Sequence, residues 1–572
     1  MAELSENALQ VAQSRYFMEG ENWEENCKRV ATAIAKNENK DNEGIWRDKF
    51  TEMIFDLKAI PGGRILRNAG SKLNKIFNCH VLELADSIES IGRFLHMALV
   101  LNAEGGGVGC NPQLRPKGAK IKGKGGESTG VISFLKAISI VLDTVESGGS
   151  RRSGLLPILD ISHPETEAFI EAKSNSDALN NFNISVGVTN EFLDAVERKK
   201  KWTFTFAGEE YGQVWAVDLF DKIVSNMLTS GEPGIVNLDK MRTNNSWYFS
   251  PIESLNLCGE LSLSKNQSCS LGSLVLPSFL TPNGSTRWEE LADTIQTLVR
   301  FLDNTLDVNN YSFPEMYEAT QSCRRIGIGC MGLGDYLFSK KVRYGSAAGL
   351  DKTEELVKFM RNEIYKASIE LAKEKGPFPG FSEWPYTKAK FIKKLPARIR
   401  MDIKKYGIRQ TTSMAFAPAG TISLIANTTS GIEPLPMKAY IRKDRVGERV
   451  YIHPTYKELL LNKEEIPNYF VDAFDLSPEN HFETTVSIQR LNDSSISKTQ
   501  LLPKGTKHEQ LKEWILEYAR DLVGITVYVD GSRKDQILNR LTKDEALKYI
   551  NKQTEDSLTV EDVQCARGTC EL

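Results

Sequence analysis

Apolar residues recur at helical spacing through the first ~60 positions, as in "LSENALQVAQSRYFMEG", whose Ser-x-x-Ala start offers a cap. The polar stretch "NKDNEG" (Asn39–Gly44) interrupts this pattern and predicts a loop. A Gly-rich zone occupies 104–154, with "EGGGVG", "KGKGGESTG" and "ESGGSRRSG"; between the last two, "VISFLKAISIVLDTV" has helical periodicity. From 155 onward, short apolar runs ("LLPILDI", "ISVGVT", "WTFTF") alternate with helical stretches ("ETEAFIEAK", "VWAVDLFDKIVSNML"). This βα alternation predicts an α/β architecture. Residues 285–375 read as largely helical, with "RRIGIGCMGLGDYL" in their middle, and "TSMAFAP", "TISLIA" and "GITVYV" form a late strand-like set. No repeat of fixed period is present. The closing "NKQTEDSLTVEDVQCARGTCEL" has few core-forming residues and predicts a mobile tail.

At 572 residues the chain exceeds one ordinary domain, although a large α/β barrel with insertions would absorb that length. A net charge of -3 supplies no global drive toward nucleic acid or an anionic membrane. "MAELSENALQ" lacks the basic and apolar regions of a signal peptide, and no run of ~18 apolar residues predicts a membrane span. Nine cysteines in this length are not a secreted disulfide framework, so a reducing cytoplasm is expected. No C-x-x-C pair occurs, and structural zinc is not expected.

One stretch concentrates chemistry. "NLCGE" puts Asn256, Cys258 and Glu260 at alternate positions, which an extended segment would turn to one side. A nucleophilic cysteine needs a base or helix terminus to lower its pKa, and none of the six histidines lies near Cys258 in sequence. A neighbouring carboxylate raises a thiol pKa. The arrangement suits a thiol reacting as a hydrogen atom, with the carboxylate moving a proton on the substrate. Alone, such a pattern more often describes a buried cysteine beside a chance glutamate.

The neighbouring blocks decide between these. "SLNLCGE" followed by "SCSLGSL" resembles the catalytic chain of a ribonucleotide reductase. So do "NCHVLELADSIESI", "GGVGCNPQLRPKGAKIKGKGG", "GGSRRSG", "RRIGIGCMGLGDYL", "APAGTISLIANTTSGIEP" and "GITVYVDGSR", in family order from about 60 to 535. The resemblance implies a ten-stranded α/β barrel of two half-barrels with a central finger loop carrying the radical cysteine. An N-terminal helical region (1–60) would precede the barrel with its effector loops (61–545), and a flexible redox tail (546–572) would follow.

It also implies roles. Cys258 would become a thiyl radical and take a hydrogen atom from the 3′ carbon of a ribonucleoside di- or triphosphate. Glu260 would accept the 3′-hydroxyl proton, and Asn256 would hold the substrate. Cys79 and Cys269 would be the reducing dithiol, finishing as a disulfide. Cys565 and Cys570, a C-x₄-C pair on the tail, would exchange with that disulfide and be recharged by a thioredoxin or glutaredoxin-type reductant. Ala419, Gly420, Thr421, Ile422 and Ser423 would form the substrate-phosphate loop, where backbone N–H and hydroxyl groups suit an anion. A dNTP effector with Mg²⁺ would meet Asp86, Ser87 and Ile88, with Arg115 and Lys122 on its phosphates. Gly149, Ser150, Arg151, Arg152 and Ser153 would relay its identity as a specificity loop.

The radical source separates branches of the family. No glycyl-radical R-V-x-G-Y-like stretch is present, and Tyr528 is followed by Val529 where members fed by a dimetal subunit carry two tyrosines. That departure resembles the adenosylcobalamin-dependent branch, in a compact form without an ATP-binding cone. The alternative is a class I-like chain with no cofactor of its own, activated by a separate ferritin-like radical subunit. Family members often dimerise. A non-catalytic nucleotide-binding regulator would have lost some of the five key cysteines, and all five are present.

Overall fold

The computed structural model describes residues 4–121, 125–145, 154–173, 179–243, 245–444, 447–530 and 538–556. Helices α1 (Glu6–Arg15), α2 (Trp23–Ala35) and α3 (Lys40–Phe55) open the chain. Ser5 caps α1 by accepting from the Ala8 amide at 3.3 Å. Helix α2 buries Cys27, Val30, Ala31, Ile34 and Ala35, the i, i+3, i+4 spacing of a helix with one core face. The loop expected at Asn39–Gly44 is instead the start of α3. Asn39 accepts from the Asn42 amide at 2.9 Å, and Asp41 and Glu43 lie in the first turn, where the helix dipole favours negative charge. Polarity there marks a cap rather than a break.

A short strand, β1 (Ala59–Pro61), and a short helix, α4 (Gly63–Asn68), lead into the barrel. Its first half is β2 (Cys79–Val81), β3 (Gly107–Cys110), β4 (Leu155–Asp160), β5 (Ser185–Val188) and β6 (Gly234–Asn237), each parallel to the next. Its second half is β7 (Gln267–Val275), β8 (Ile326–Met331), an extended segment through Met414 and Phe416, β9 (Thr499–Leu502) and β10 (Gly524–Val529). These too run parallel, through the bridges Ile328–Met414 and Phe416–Ile496. The halves meet antiparallel at two seams, β2 with β7 and β6 with β10. The ten extended segments thus close into a ring, with β1 added to the outer edge of β7. Strands such as β5 and β6 are buried at every position, which is why they read as continuous apolar runs.

Three local expectations change. "WTFTF" is a strand, but it belongs to a side hairpin (Lys201–Phe206 with Glu209–Trp215) outside the barrel. "TISLIA" forms a short helix (Gly420–Ile425) whose Ile422 and Ile425, three apart, are buried. The stretch expected as a loose tail from 546 begins as helix, Lys543–Asp556, with Ala546 and Ile550 buried in a satellite core.

A small hairpin, Ser254–Leu255 paired with Ser262–Leu263, packs against β3. A Cβ at Gly109 of β3 would lie 1.7 Å from the Leu255 carbonyl oxygen, and one at Gly107 would lie 2.5 Å from the Leu257 side chain. Only glycine lets the hairpin approach that closely.

Candidate active site

The hairpin tip is a turn. Asn256 N–H donates to the Leu261 carbonyl at 3.0 Å, Gly259 N–H to the Asn256 carbonyl at 2.9 Å, and Gly259 takes φ +82°. The extended alternation expected for Asn256, Cys258 and Glu260 is therefore replaced by a chain reversal that a left-handed glycine makes cheap. Cys258 ends half-buried, while Glu260 and Asn256 are buried. The Asn256 side-chain oxygen accepts from the Leu261 amide at 3.0 Å, pinning the tip, and its Nδ2 is buried without a protein acceptor.

Cys79 and Cys269 are register partners across the β2–β7 seam, and both are in the reduced form. Cys79 Sγ lies 3.9 Å from Glu260 Oε1. Burial pushes the Cys269 thiol well up, and the Glu260 carboxylate pushes it further, so it stays protonated at neutral pH.

A cavity of about 710 Å³ joins these groups to the candidate phosphate loop: Cys79, Cys258 and Glu260 share it with Ala419, Gly420, Thr421 and Ile422. Ser423 is buried, its hydroxyl donating to the Gly420 carbonyl at 2.9 Å, and it does not line the cavity. Asn256 and Cys269 likewise lie outside the lining, as does Tyr528, half-buried on β10 opposite Leu501. Sequence reasoning missed Arg15, Tyr16, Arg64 and Arg67, which also line it. The i, i+3 spacing of Arg64 and Arg67 was an available signal. The Tyr16 hydroxyl contact with Thr421 Oγ1, 405 positions away, was not.

Two family models together match nearly the whole chain. Residues 77–528 match the ribonucleotide reductase barrel domain, and residues 2–74 match the ribonucleotide reductase all-alpha domain. The chain belongs to the ribonucleotide reductase family. A vitamin B12-dependent ribonucleoside-diphosphate reductase of Mycobacterium tuberculosis (strain CDC 1551 / Oshkosh) is 32% identical, covering 94% of this chain and 81% of that protein. A protein of the same description from Thermoplasma acidophilum is 31% identical, over 92% of this chain and 72% of its own. A ribonucleoside-diphosphate reductase subunit alpha of Chlamydia pneumoniae is 27% identical over 84% of this chain and 54% of its own.

In this reductase the candidate effector residues are partly engaged with one another. Arg115 Nε donates to both Asp86 carboxylate oxygens, at 2.9 and 3.1 Å, and its backbone N–H donates to Asp86 Oδ1 at 3.1 Å. Ser87 caps the helix Ile88–Ala103 by accepting from the Ser90 amide at 3.0 Å, and Ile88 is 70% exposed. Lys122, Gly149, Ser150, Arg151, Arg152, Ser153, Cys565 and Cys570 lie outside the described residues. Among the described residues no helix is long and apolar enough to cross a membrane.

Proposed function

We propose that this reductase converts ribonucleotides to 2′-deoxyribonucleotides through a thiyl radical on Cys258. The observation that carries this is the joining of Cys258, Glu260 and Cys79 in one cavity, with Cys269 as the register partner of Cys79. Cys258, having lost its S–H hydrogen atom, takes the hydrogen atom from C3′. Glu260 accepts the 3′-hydroxyl proton. The 2′-hydroxyl leaves as water, Cys79 and Cys269 give up two electrons and two protons to close a disulfide, and Cys258 returns the hydrogen atom to C3′. Glu260, within 3.9 Å of Cys79, is suited to moving protons between that thiol and the sugar. The raised Cys269 pKa supports hydrogen-atom rather than thiolate chemistry. Asn256 Nδ2 is a donor available to substrate on a small rearrangement of the tip.

The relatives' names favour a diphosphate substrate and adenosylcobalamin as cofactor. Gly62 and Gly105 line the cavity together with Cys79 and Cys258, and with them would face the cofactor. Adenosylcobalamin, when bound, supplies the oxidising equivalent that generates the Cys258 radical. The match to a subunit alpha favours a second reading, in which a ferritin-like dimetal subunit supplies it. Asp86, Ser87, Ile88, Arg115 and Lys122 would receive a dNTP with Mg²⁺, and residues 149–153 would relay specificity. Cys565 and Cys570 would pass electrons from a thioredoxin or glutaredoxin-type donor. A homodimer is the expected assembly, and the free thiols of the described cysteines suit a reducing cytoplasm.

The test is turnover by the purified chain with CDP, effector, dithiol and adenosylcobalamin. Product, lost in Cys258→Ser with effector binding intact, is the expected result. Product only after addition of a dimetal subunit selects the second reading, and turnover by Cys258→Ser removes the radical role.

A further inference from the structure

Two consecutive arginines precede β8, and the fold treats them differently. Arg324 is ion-paired, with Nε 2.9 Å from Asp303 Oδ1 and Nη1 2.8 Å from Asp307 Oδ1. Arg325, 1% exposed, forms no ion pair among the described residues. Its Nε donates to Gln267 Oε1 at 2.9 Å, its Nη1 to Thr412 Oγ1 at 3.3 Å and its Nη2 to Ser246 Oγ, all neutral acceptors. Asp493, whose charge also reaches Arg325, is engaged elsewhere: its carboxylate accepts from the Ser413 and Met414 amides at 2.8 and 2.9 Å and from the Tyr365 hydroxyl at 2.7 Å. A guanidinium keeps its proton in a protein, so the barrel holds a buried cation with no directly bound counter-ion. Such a charge is costly to bury, and the chemistry at Cys258 does not use it.

Its position is set against the dithiol. Ser270 pairs with Ile326 in the parallel β7–β8 ladder, so Cys269 and Arg325 are the residues just before that pair. Gln267, which holds Arg325 Nε, is two positions from Cys269 on β7, and alternate strand residues share a face. Gln267 is itself fixed, its Nε2 donating to the Ala319 carbonyl and its Oε1 accepting from the Ser264 amide, each at 3.0 Å. Burial and Glu260 raise the Cys269 thiol, Asp493 adds to them, and the charge of Arg325 opposes all three. The two thiols also differ in access: Cys79 lines the cavity and Cys269 does not.

We propose that Arg325 is the electrostatic partner of Cys269 when the dithiol is recharged, so that an incoming thiolate attacks Cys79 Sγ and Cys269 leaves as the thiolate. This rests on Cys79 and Cys269 closing a disulfide. The bond between their sulfurs breaks, a bond from the reductant sulfur to Cys79 forms, and the electron pair goes to the Cys269 sulfur, which then takes up a proton. The second thiol of the reductant resolves the mixed disulfide and releases Cys79, so two electrons and two protons pass from the reductant dithiol to the pair. A thiolate leaves faster the lower its pKa, and a nearby cation lowers it.

The test uses the full chain carrying Cys258→Ser, Cys565→Ser and Cys570→Ser, with the pair closed by copper–phenanthroline. Brief reduction by 2-mercaptoethanol, then acid quench, denaturation and alkylation, should leave the mixed disulfide on Cys79 and the alkyl label on Cys269. This measurement needs no change at Arg325, and the reverse distribution overturns the proposal. Reduction by dithiothreitol should be about tenfold or more slower in Arg325→Gln, with part of the rate kept in Arg325→Lys. Changing the leaving group separates charge from structural damage. In a Cys269→Ser chain carrying nitrothiobenzoate on Cys79, dithiothreitol displaces a thiolate that is already stable, and Arg325→Gln should alter that rate by less than about twofold. Equal slowing for both leaving groups, or no slowing for the disulfide, overturns the proposal while leaving Cys79 and Cys269 as the reductant. Failure of the oxidised chain to link residues 79 and 269 removes the dithiol itself, and both readings fall together.

Discussion

Cys79 and Cys269 face each other across the antiparallel seam between the two half-barrels. Directly opposed residues in such a ladder have Cα atoms about 4.5–5.5 Å apart, within the span of a disulfide. In a Cys565→Ser/Cys570→Ser chain, which has no tail dithiol to re-reduce them, substrate turnover without an external dithiol should therefore stop after about one product per chain and remove two titratable thiols. Peptide mapping should find residues 79 and 269 linked. Retention of both thiols after a completed turnover would end their assignment as the reductant.

Glu260 is buried, with Oε1 beside Cys79 Sγ. Glu260→Gln keeps the shape and removes the base. Its kcat should fall by about 10²–10⁴-fold with little change in KM, the range of a positioned acid–base group. A loss confined to KM would assign Glu260 to binding alone.

Gly109→Ala tests the seating of the hairpin. The new methyl would overlap the Leu255 carbonyl at 1.7 Å, forcing the hairpin away from β3. Overpacking of this kind costs about 1–3 kcal/mol. The variant should melt lower and lose activity by more than the fraction unfolded accounts for, because Cys258 moves with the hairpin. Activity tracking the folded fraction would show that seating is not critical.

Two buried histidines predict acid sensitivity. Burial, with the positive charges of Arg64 and Lys75, lowers the His80 pKa to about 3; burial and Lys498 lower that of His481 to about 3. Both stay neutral in the fold but take a proton near pH 6.5 when unfolded, so stability falls as pH drops from 6.5 toward 3. Asp493 acts oppositely: burial raises it to about 6, so the fold gains a proton before the unfolded chain does. These three groups together contribute a net loss of about 1.4 kcal/mol per pH unit between pH 6 and 4, and His163 and His453, also lowered by burial, act in the same direction as the two histidines. Chemical denaturation across this range should show stability falling as the pH drops, and His80→Gln/His481→Gln should make that fall shallower. An unaltered slope in the double variant would place the acid sensitivity elsewhere.

The C-terminal pair makes a separate prediction. Cys565→Ser/Cys570→Ser should lose sustained turnover with a thioredoxin-type donor and regain part of it with a small dithiol. Full activity with the protein donor would remove the shuttle.

Much of the architecture was legible in the chain. Fully buried strands such as Ser185–Val188 announce themselves as apolar runs, and helices such as Val131–Asp143 by their period. Misreadings came where a short polar or apolar run carries two meanings. Asn39 followed by acids is both a loop signature and a helix cap, and "TISLIA" is apolar enough for either a strand or a one-face helix. Neighbours settle such cases, and they are not neighbours in sequence.

Residue types determined what chemistry was available: a thiol beside a carboxylate without a histidine, and further cysteines to supply electrons. Local order could also mark Gly259 as a turn, because backbone freedom belongs to the residue itself. Tertiary structure alone decided which groups meet. It put Cys269 opposite Cys79, withdrew Ser423 from the cavity, and brought Tyr16 onto Thr421. Those contacts follow from barrel closure and strand register, which depend on how distant apolar faces are buried together and leave no mark in any short stretch of chain.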